Sequence, residues 1–153
     1  MVVSRIYTDT SVIGGCEDDE FRVHSRRLMD AFVRGELRLV LSELTLRELA
    51  PAPLPVREVV ASIPESNIEV VRLTPEADEL ARQYLAEGIL PANMLADAQH
   101  IAMASVASVD ALVSWNFRHV VNLSRIHGYH GVNAKLGYAP VEIRSPREVL
   151  SDE

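Results

Sequence analysis

Hydrophobic and polar positions along this chain fall into two rhythms. Short β-branched or aromatic runs alternate with longer stretches whose apolar residues recur about every 3.6 positions, and this alternation predicts strands and helices in turn. Ile6-Tyr-Thr ends at Asp9 and opens the first strand. The second covers Leu37 to Leu41, the third Asn67 to Leu73 at a sheet edge, the fourth Asp110 to Trp115 and the fifth Pro140 to Arg144. Between them, Phe21, Leu28, Met29, Phe32 and Val33 form the stripe of a helix over 18–34 that stops at Gly35. Ala77, Leu80, Ala81, Tyr84 and Leu85 form a second stripe, opened by Thr74-Pro75 and ended by Gly88. The run from Leu95 to Ala107 is a helix of small residues suited to close packing on a sheet. Strands and helices in this order predict an α/β fold with a mostly parallel sheet of about five strands and helices on both faces.

Local punctuation refines the boundaries. Pro51, Pro53 and Pro55 end the helix that follows strand two, a short helix covers 56–62, and Ser145-Pro146 starts a final helical turn. Glu17, Asp18, Asp19 and Glu20 sit before and in the first turn of the helix over 18–34, where acids favour the helix dipole. Arg22, His24, Arg26, Arg27 and Arg34 lie on the wet face of that helix. Thr45 and Glu48 match the T-x-x-E pattern of a capping box. The segment from Asn122 to Tyr138 reads as loop-rich, and its histidines have no zinc-like spacing.

Composition narrows the class. Apolar residues make up 48% of 153, enough for one packed domain over 1–153. No apolar run approaches a membrane span and the amino terminus has no signal-peptide pattern, so no membrane role is expected. With Cys16 as the lone cysteine, no internal disulfide can form, and a cytoplasmic protein is the simplest expectation. The net charge of -7, from 15 basic and 22 acidic residues, argues against a protein that coats DNA nonspecifically. It leaves open a nucleic-acid substrate, with a divalent cation offsetting acids in a site.

The candidate chemistry lies at the carboxyl ends of the strands, where open α/β sheets place ligands. Asp9 ends strand one. Glu48 follows strand two in the first helical turn, with Glu43 competing for that place. Asn116 ends strand four, as a turn starter or as a neutral oxygen for a cation or its water. Asp97 opens the helix that leads into strand four, beside alanines rather than polar neighbours, and His100 stands one turn on as a hydrogen-bonded packing residue. Each has a bland reading as a cap or turn. Their gathering on one rim is harder to explain by capping alone.

At this point the chain resembles a known family. DTSVI at 9–13, S-x5-E at 42–48, ADAQHIAMA at 96–104 and LVSWNFRHV at 112–120 look like the motifs of PIN-domain ribonucleases, in particular the VapC-type toxins of toxin–antitoxin pairs. The resemblance runs from Asp9 to the closing EIRSP and implies a three-layer α/β/α PIN-like fold. By that resemblance Asp9 and Asp97 match the principal metal-binding acids, and Glu48, rather than Glu43, the second acid. Ser11 matches a small polar residue near the metal. Asn116 falls where many members carry a fourth acid, which lowers the charge of the site. The implied cofactor is Mg2+ or Mn2+, the implied substrate RNA. The implied partners are an antitoxin, which would insert a segment near the acidic rim, and a second copy in a homodimer. Glu48 would orient a water or take its proton, and Asn116 would hold another water. The rival expectation is a non-catalytic module that docks RNA or protein on the same rim. A haloacid-dehalogenase-like phosphatase fits less well, because Ser11 stands where a second aspartate is needed. A phosphoacceptor receiver domain would require paired acids and a better-placed lysine than Lys135.

Overall fold

Five parallel strands form the centre of the molecule, in the order β3-β2-β1-β4-β5: β1 (Arg5–Thr8), β2 (Arg38–Ser42), β3 (Ile68–Val71), β4 (Ala111–Val113) and β5 (Ile143–Arg144). The structure is a computed structural model that describes residues 2–150, so the outermost residues of the expected 1–153 unit lie outside the described ones. Eight α-helices are described: α1 (Thr10–Gly14), α2 (Arg22–Val33), α3 (Glu43–Leu49), α4 (Leu54–Ala61), α5 (Pro75–Ala86), α6 (Leu95–Val106), α7 (Leu123–Leu136) and α8 (Pro146–Val149). Together they give the three-layer α/β/α architecture expected from the alternation. β3 takes the edge position that its sequence suggested.

The period of two along each strand divides the core into halves. Tyr7, Val40, Leu112 and Ile143 point to one face and pack with α5, α6 and α7 through Leu80, Tyr84, Ile101 and Tyr129. Ile6, Leu39, Leu41 and Val113 point to the other, against Val12, Leu28, Phe32 and Leu49 from α1, α2 and α3. Burial of such side chains, each worth about 1.5–3 kcal/mol, is the main force holding the layers. At the amino ends of the strands Arg5 acts as a clamp: its guanidinium grips both oxygens of Glu69 at 3.0 and 2.7 Å, and its backbone N–H donates to Asp110 at 2.7 Å. The opposite rim is thereby left for chemistry. Among the described residues no helix is long and apolar enough to cross a membrane.

Three expectations require correction. The segment 122–138 is not loop-rich: α7 occupies it, capped by Asn122, whose side chain accepts from the Arg125 N–H at 3.2 Å. Gly128 and Gly131 hide this helix in the sequence. Gly128 is needed for close approach, because a Cβ there would meet Ile89 Cδ1 at 2.6 Å. The capping box at Thr45 and Glu48 does not form. Ser42 caps α3 instead, accepting from the Thr45 N–H at 3.1 Å, so Glu48 points elsewhere. The acids at 17–20 are not in the first turn of α2, which starts at Arg22; Glu17 and Asp19 pair with Arg26 and Arg22.

Candidate active site

The strand order reverses between β1 and β4, and at such a switch point the loops leaving neighbouring strands part in opposite directions and open a crevice. Asp9 follows β1 at this switch point. Its extended backbone makes it the N-cap of α1, a helix the sequence pattern did not announce, and Oδ1 accepts from the Ser11 N–H at 3.1 Å and the Ser11 hydroxyl at 2.6 Å. Oδ2 accepts from the Ser114 hydroxyl at 2.5 Å, across from the end of β4. Asp9 is buried, 7% exposed, and every hydrogen bond described for its carboxylate comes from a neutral donor. Burial therefore pushes its pKa up, against the opposing pull of the Ser11 and Ser114 hydroxyls and the charge of His100.

Asp97 sits in the first turn of α6 but does not cap it; Met94 holds the N-cap position. Its Oδ2 lies 3.4 Å from Asn116 Nδ2 and 3.5 Å from His119 Nδ1. Half-burial raises its pKa, while His100 and His119 pull it down and the charge of Glu48 pushes it up. Asn116 does not offer the neutral oxygen expected of it. Its Oδ1 accepts from the backbone N–H groups of Arg118 at 3.1 Å and His119 at 2.9 Å, so the group it presents to Asp97 is the Nδ2 donor. The turn-starting reading of Asn116 is thus realised, and the reading as an oxygen offered to a cation is not.

Glu48 closes the arrangement from α3. Its Oε1 accepts from Thr10 Oγ1 at 2.7 Å and from His100 Nε2 at 2.8 Å, which holds its pKa below the usual carboxylate range, the His100 hydrogen bond contributing most. His100 is buried as a hydrogen-bonded packing residue, with Nδ1 2.6 Å from the phenol oxygen of Tyr7. It touches Glu48 and lies within electrostatic reach of both Asp9 and Asp97. The structure therefore gathers Asp9, Ser11, Glu48, Asp97, His100 and Asn116 around one rim. Glu43 does not join them: it pairs with Arg72 at 3.3 Å.

Sequence reasoning missed three contributors. Ser114 is fully buried and supplies the hydroxyl on Asp9 Oδ2; a polar residue interrupting the apolar end of β4 was its one signal. Thr10 pins Glu48, and His119 faces Asp97; neither has a sequence signal of its own.

The donor set suits a hard divalent cation in its chemistry. The donors are carboxylate oxygens, and buried Asp9 has only neutral hydrogen-bond donors to answer its charge. Among the described residues no three His, Cys, Asp or Glu side chains stand together as a ready-made metal cage. The protein would therefore supply few ligands and leave the rest to water, the usual manner of magnesium.

No family model and no curated protein matches the sequence. Solved structures do. VapC20 of Mycobacterium tuberculosis, described as a sarcin-ricin loop cleaving toxin, superposes with a TM-score of 0.56 at 16% identity, covering 89% of this chain and 98% of its own. The DNA-bound VapBC complex of Salmonella typhimurium gives 0.56 at 18% identity, with 94% and 99% covered. FitAcB of Neisseria gonorrhoeae gives 0.57 at 14% identity, with 92% and 97% covered. At these identities the likeness establishes the fold, that of VapC-type PIN domains, over nearly the whole chain.

Proposed function

We propose that this chain is a Mg2+- or Mn2+-dependent endoribonuclease that hydrolyses RNA phosphodiester bonds and serves as the toxin of a toxin–antitoxin pair. The observation that carries the reading is Asp9: a buried carboxylate at the switch point, held by Ser11 and Ser114 with no cationic hydrogen-bond donor among the described residues, on the same rim as Asp97 and Glu48. A folded protein keeps a buried acid without an ion-pair partner at a cost in stability, and a cation that binds there lowers the cost.

In this reading Asp9 and Asp97 hold the ion. Bound there, a divalent cation would polarise a phosphate oxygen and acidify a water. Ser11 and Ser114 fix Asp9, and Asn116 Nδ2 with His119 fixes Asp97. Glu48, kept ionised by His100 and Thr10, takes the proton of the attacking water as the bond between phosphorus and the leaving ribose oxygen breaks. That leaving oxygen then takes a proton from solvent. The VapBC and FitAcB neighbours are toxin–antitoxin assemblies, which supports an antitoxin partner here. A homodimer and cytoplasmic action belong to the same reading.

The competing reading is a non-catalytic module that binds RNA or protein with this rim. Two observations favour it: the absence of a three-ligand cage among the described residues, and the engaged oxygen of Asn116. Manganese titration followed by thermal unfolding separates the two. Stabilisation at millimolar Mn2+ that disappears in Asp97→Asn, together with loss of metal-dependent RNA cleavage in that variant, is expected of the nuclease. No stabilisation and unchanged cleavage would remove it.

A further inference from the structure

A chain of buried hydrogen bonds runs from the core to the rim. Ser42 Oγ, which caps α3, lies 2.8 Å from Tyr7 Oη; Tyr7 Oη lies 2.6 Å from His100 Nδ1; His100 Nε2 lies 2.8 Å from Glu48 Oε1. Tyr7 and Ser42 are fully buried and His100 is nearly so. Three elements, β1, α3 and α6, thus meet at one imidazole. From the other side Thr10, the first residue of α1, donates its hydroxyl to the same atom, Glu48 Oε1, at 2.7 Å. Among the described residues Glu48 Oε2 takes no hydrogen bond, and the side chain is 35% exposed.

The proton inventory gives this chain one direction. A carboxylate only accepts, so Nε2 must carry a hydrogen towards Glu48. With a neutral ring, Nδ1 accepts from the Tyr7 hydroxyl, and Ser42 donates to the phenol oxygen or to Thr45. With a charged ring, Nδ1 donates to that oxygen and Tyr7 donates to Ser42. In both states Nε2–H stays on Glu48 Oε1, so the grip on the glutamate does not depend on which state the ring adopts. A solvent-edge glutamate on a helix otherwise samples many rotamers. Two donors on one oxygen, each anchored in a different element, select one of them and turn the other oxygen outward.

From this geometry we propose that His100, backed by Tyr7, and Thr10 are positioning residues that lock Glu48 through Oε1 so that Oε2 alone is presented to the reacting water. The proposal deepens the nuclease reading and rests on it. It assigns no direct chemistry to His100. The imidazole acts through Glu48, much as the outer partners of catalytic carboxylates orient them.

Two isosteric-scale replacements isolate the role. In His100→Gln the side-chain amide reaches about where Nε2 stands and still donates to Glu48. In His100→Asn the amide falls near Nδ1, keeps the Tyr7 partner and abandons Glu48. Thr10→Val removes the second donor at a half-buried position while keeping the β-branched shape of the side chain. Cleavage is read with a randomised fluorophore–quencher RNA oligonucleotide pool in Mn2+, with kcat and KM separated. His100→Asn should lower kcat by about 10–100-fold with KM unchanged, the range for lost outer partners of a site; His100→Gln should recover most of it. Thr10→Val should lower kcat as well. In metal-free wild type the Nε2 proton should give a slowly exchanging, downfield NMR signal that Glu48→Ala abolishes.

The failures are distinguishable. If Glu48→Gln is inactive while His100→Asn and Thr10→Val cleave at the wild-type rate, the positioning role is overturned and the nuclease stands. If Glu48→Gln cleaves like the wild type, Glu48 takes no part in the reaction and the positioning proposal falls while the nuclease stands; if the wild type does not cleave, the underlying nuclease reading falls. Absence of the Nε2 signal would overturn the contact itself.

Discussion

Replacing Asp9 by asparagine should make the metal-free protein more stable. The substitution keeps the shape of the site. The new side-chain oxygen can accept from the Ser11 N–H and hydroxyl, as Oδ1 does at 3.1 and 2.6 Å. The new amide would donate to Ser114 Oγ, which already accepts from the Asn116 N–H at 2.9 Å, and Ser114 can redirect its own proton towards Ser11 Oγ, 3.4 Å away. What disappears is a buried negative charge. Gains from relieving a functional residue of this kind run to about 0.5–2 kcal/mol. For a chain of this length each kcal/mol moves Tm by about 2–4 °C.

The sign of the pH dependence follows from the same carboxylate. Burial raises the folded-state pKa of Asp9 above its unfolded value, so the folded protein binds the extra proton. Its favourable contribution is complete below the unfolded pKa and is lost as pH rises through the folded one. The advantage of Asp9→Asn should therefore be larger at pH 8 than at pH 5. Manganese should reverse the order: at a hundred times its Kd it adds about 2.7 kcal/mol to the wild type and little to the variant. The assay is thermal unfolding at two pH values with and without Mn2+, using chelated protein as reference. A lower Tm for metal-free Asp9→Asn at pH 8, or equal stabilisation of both proteins by Mn2+, would refute the reasoning.

Further outcomes can be checked in the same set of variants. Asp97→Asn should retain the far-UV circular dichroism of the wild type and lose metal-dependent RNA cleavage. Ser114→Ala should destabilise the metal-free protein by about 1–3 kcal/mol in denaturant unfolding, because it strips a hydroxyl donor from a buried carboxylate. Gly15→Ala should cost about 1–3 kcal/mol by overpacking, since its Cβ would meet Ser25 Oγ at 2.6 Å and Trp115 Nε1 at 2.9 Å, two atoms already bonded to each other. Acidification should weaken the Glu48 contribution in the opposite sense to Asp9: its pKa is lowered on folding, so that contribution is present above the unfolded pKa and lost as pH falls through the folded one, measurable as the pH dependence of the Glu48→Gln stability difference.

The strands were legible because their apolar runs are short, β-branched and spaced by helices of regular stripe. The parallel pairing and the placing of Asp9, Glu48, Asp97 and Asn116 at one edge followed from that alternation, whereas the strand order did not. The misreadings have local causes. Thr45 and Glu48 carry the right types for a capping box, but Ser42 sits three residues before Thr45 and takes the cap, which frees Glu48 for Thr10 and His100. In α7 the two glycines resemble loop punctuation, although Gly128 serves packing against Ile89. Ser114 and Thr10 were invisible for a different reason: each acquires meaning from a partner on another element, and one sequence carries no record of which neighbours the sheet will assign. Asn116 was readable in position but not in orientation, since the direction of its amide depends on the backbone of Arg118 and His119.

The seam between β1 and β4 also sets an order of events during synthesis. Asp9, Thr10, Ser11 and Glu48 belong to the first half of the polypeptide, whereas Asp97, His100, Ser114 and Asn116 arrive only with the second. A nascent chain that ends before α6 holds only the first four of these residues, and one that ends before β4 still lacks Ser114 and Asn116. Whatever activity the finished rim has must therefore wait until Asn116 has been made and β4 has docked beside β1.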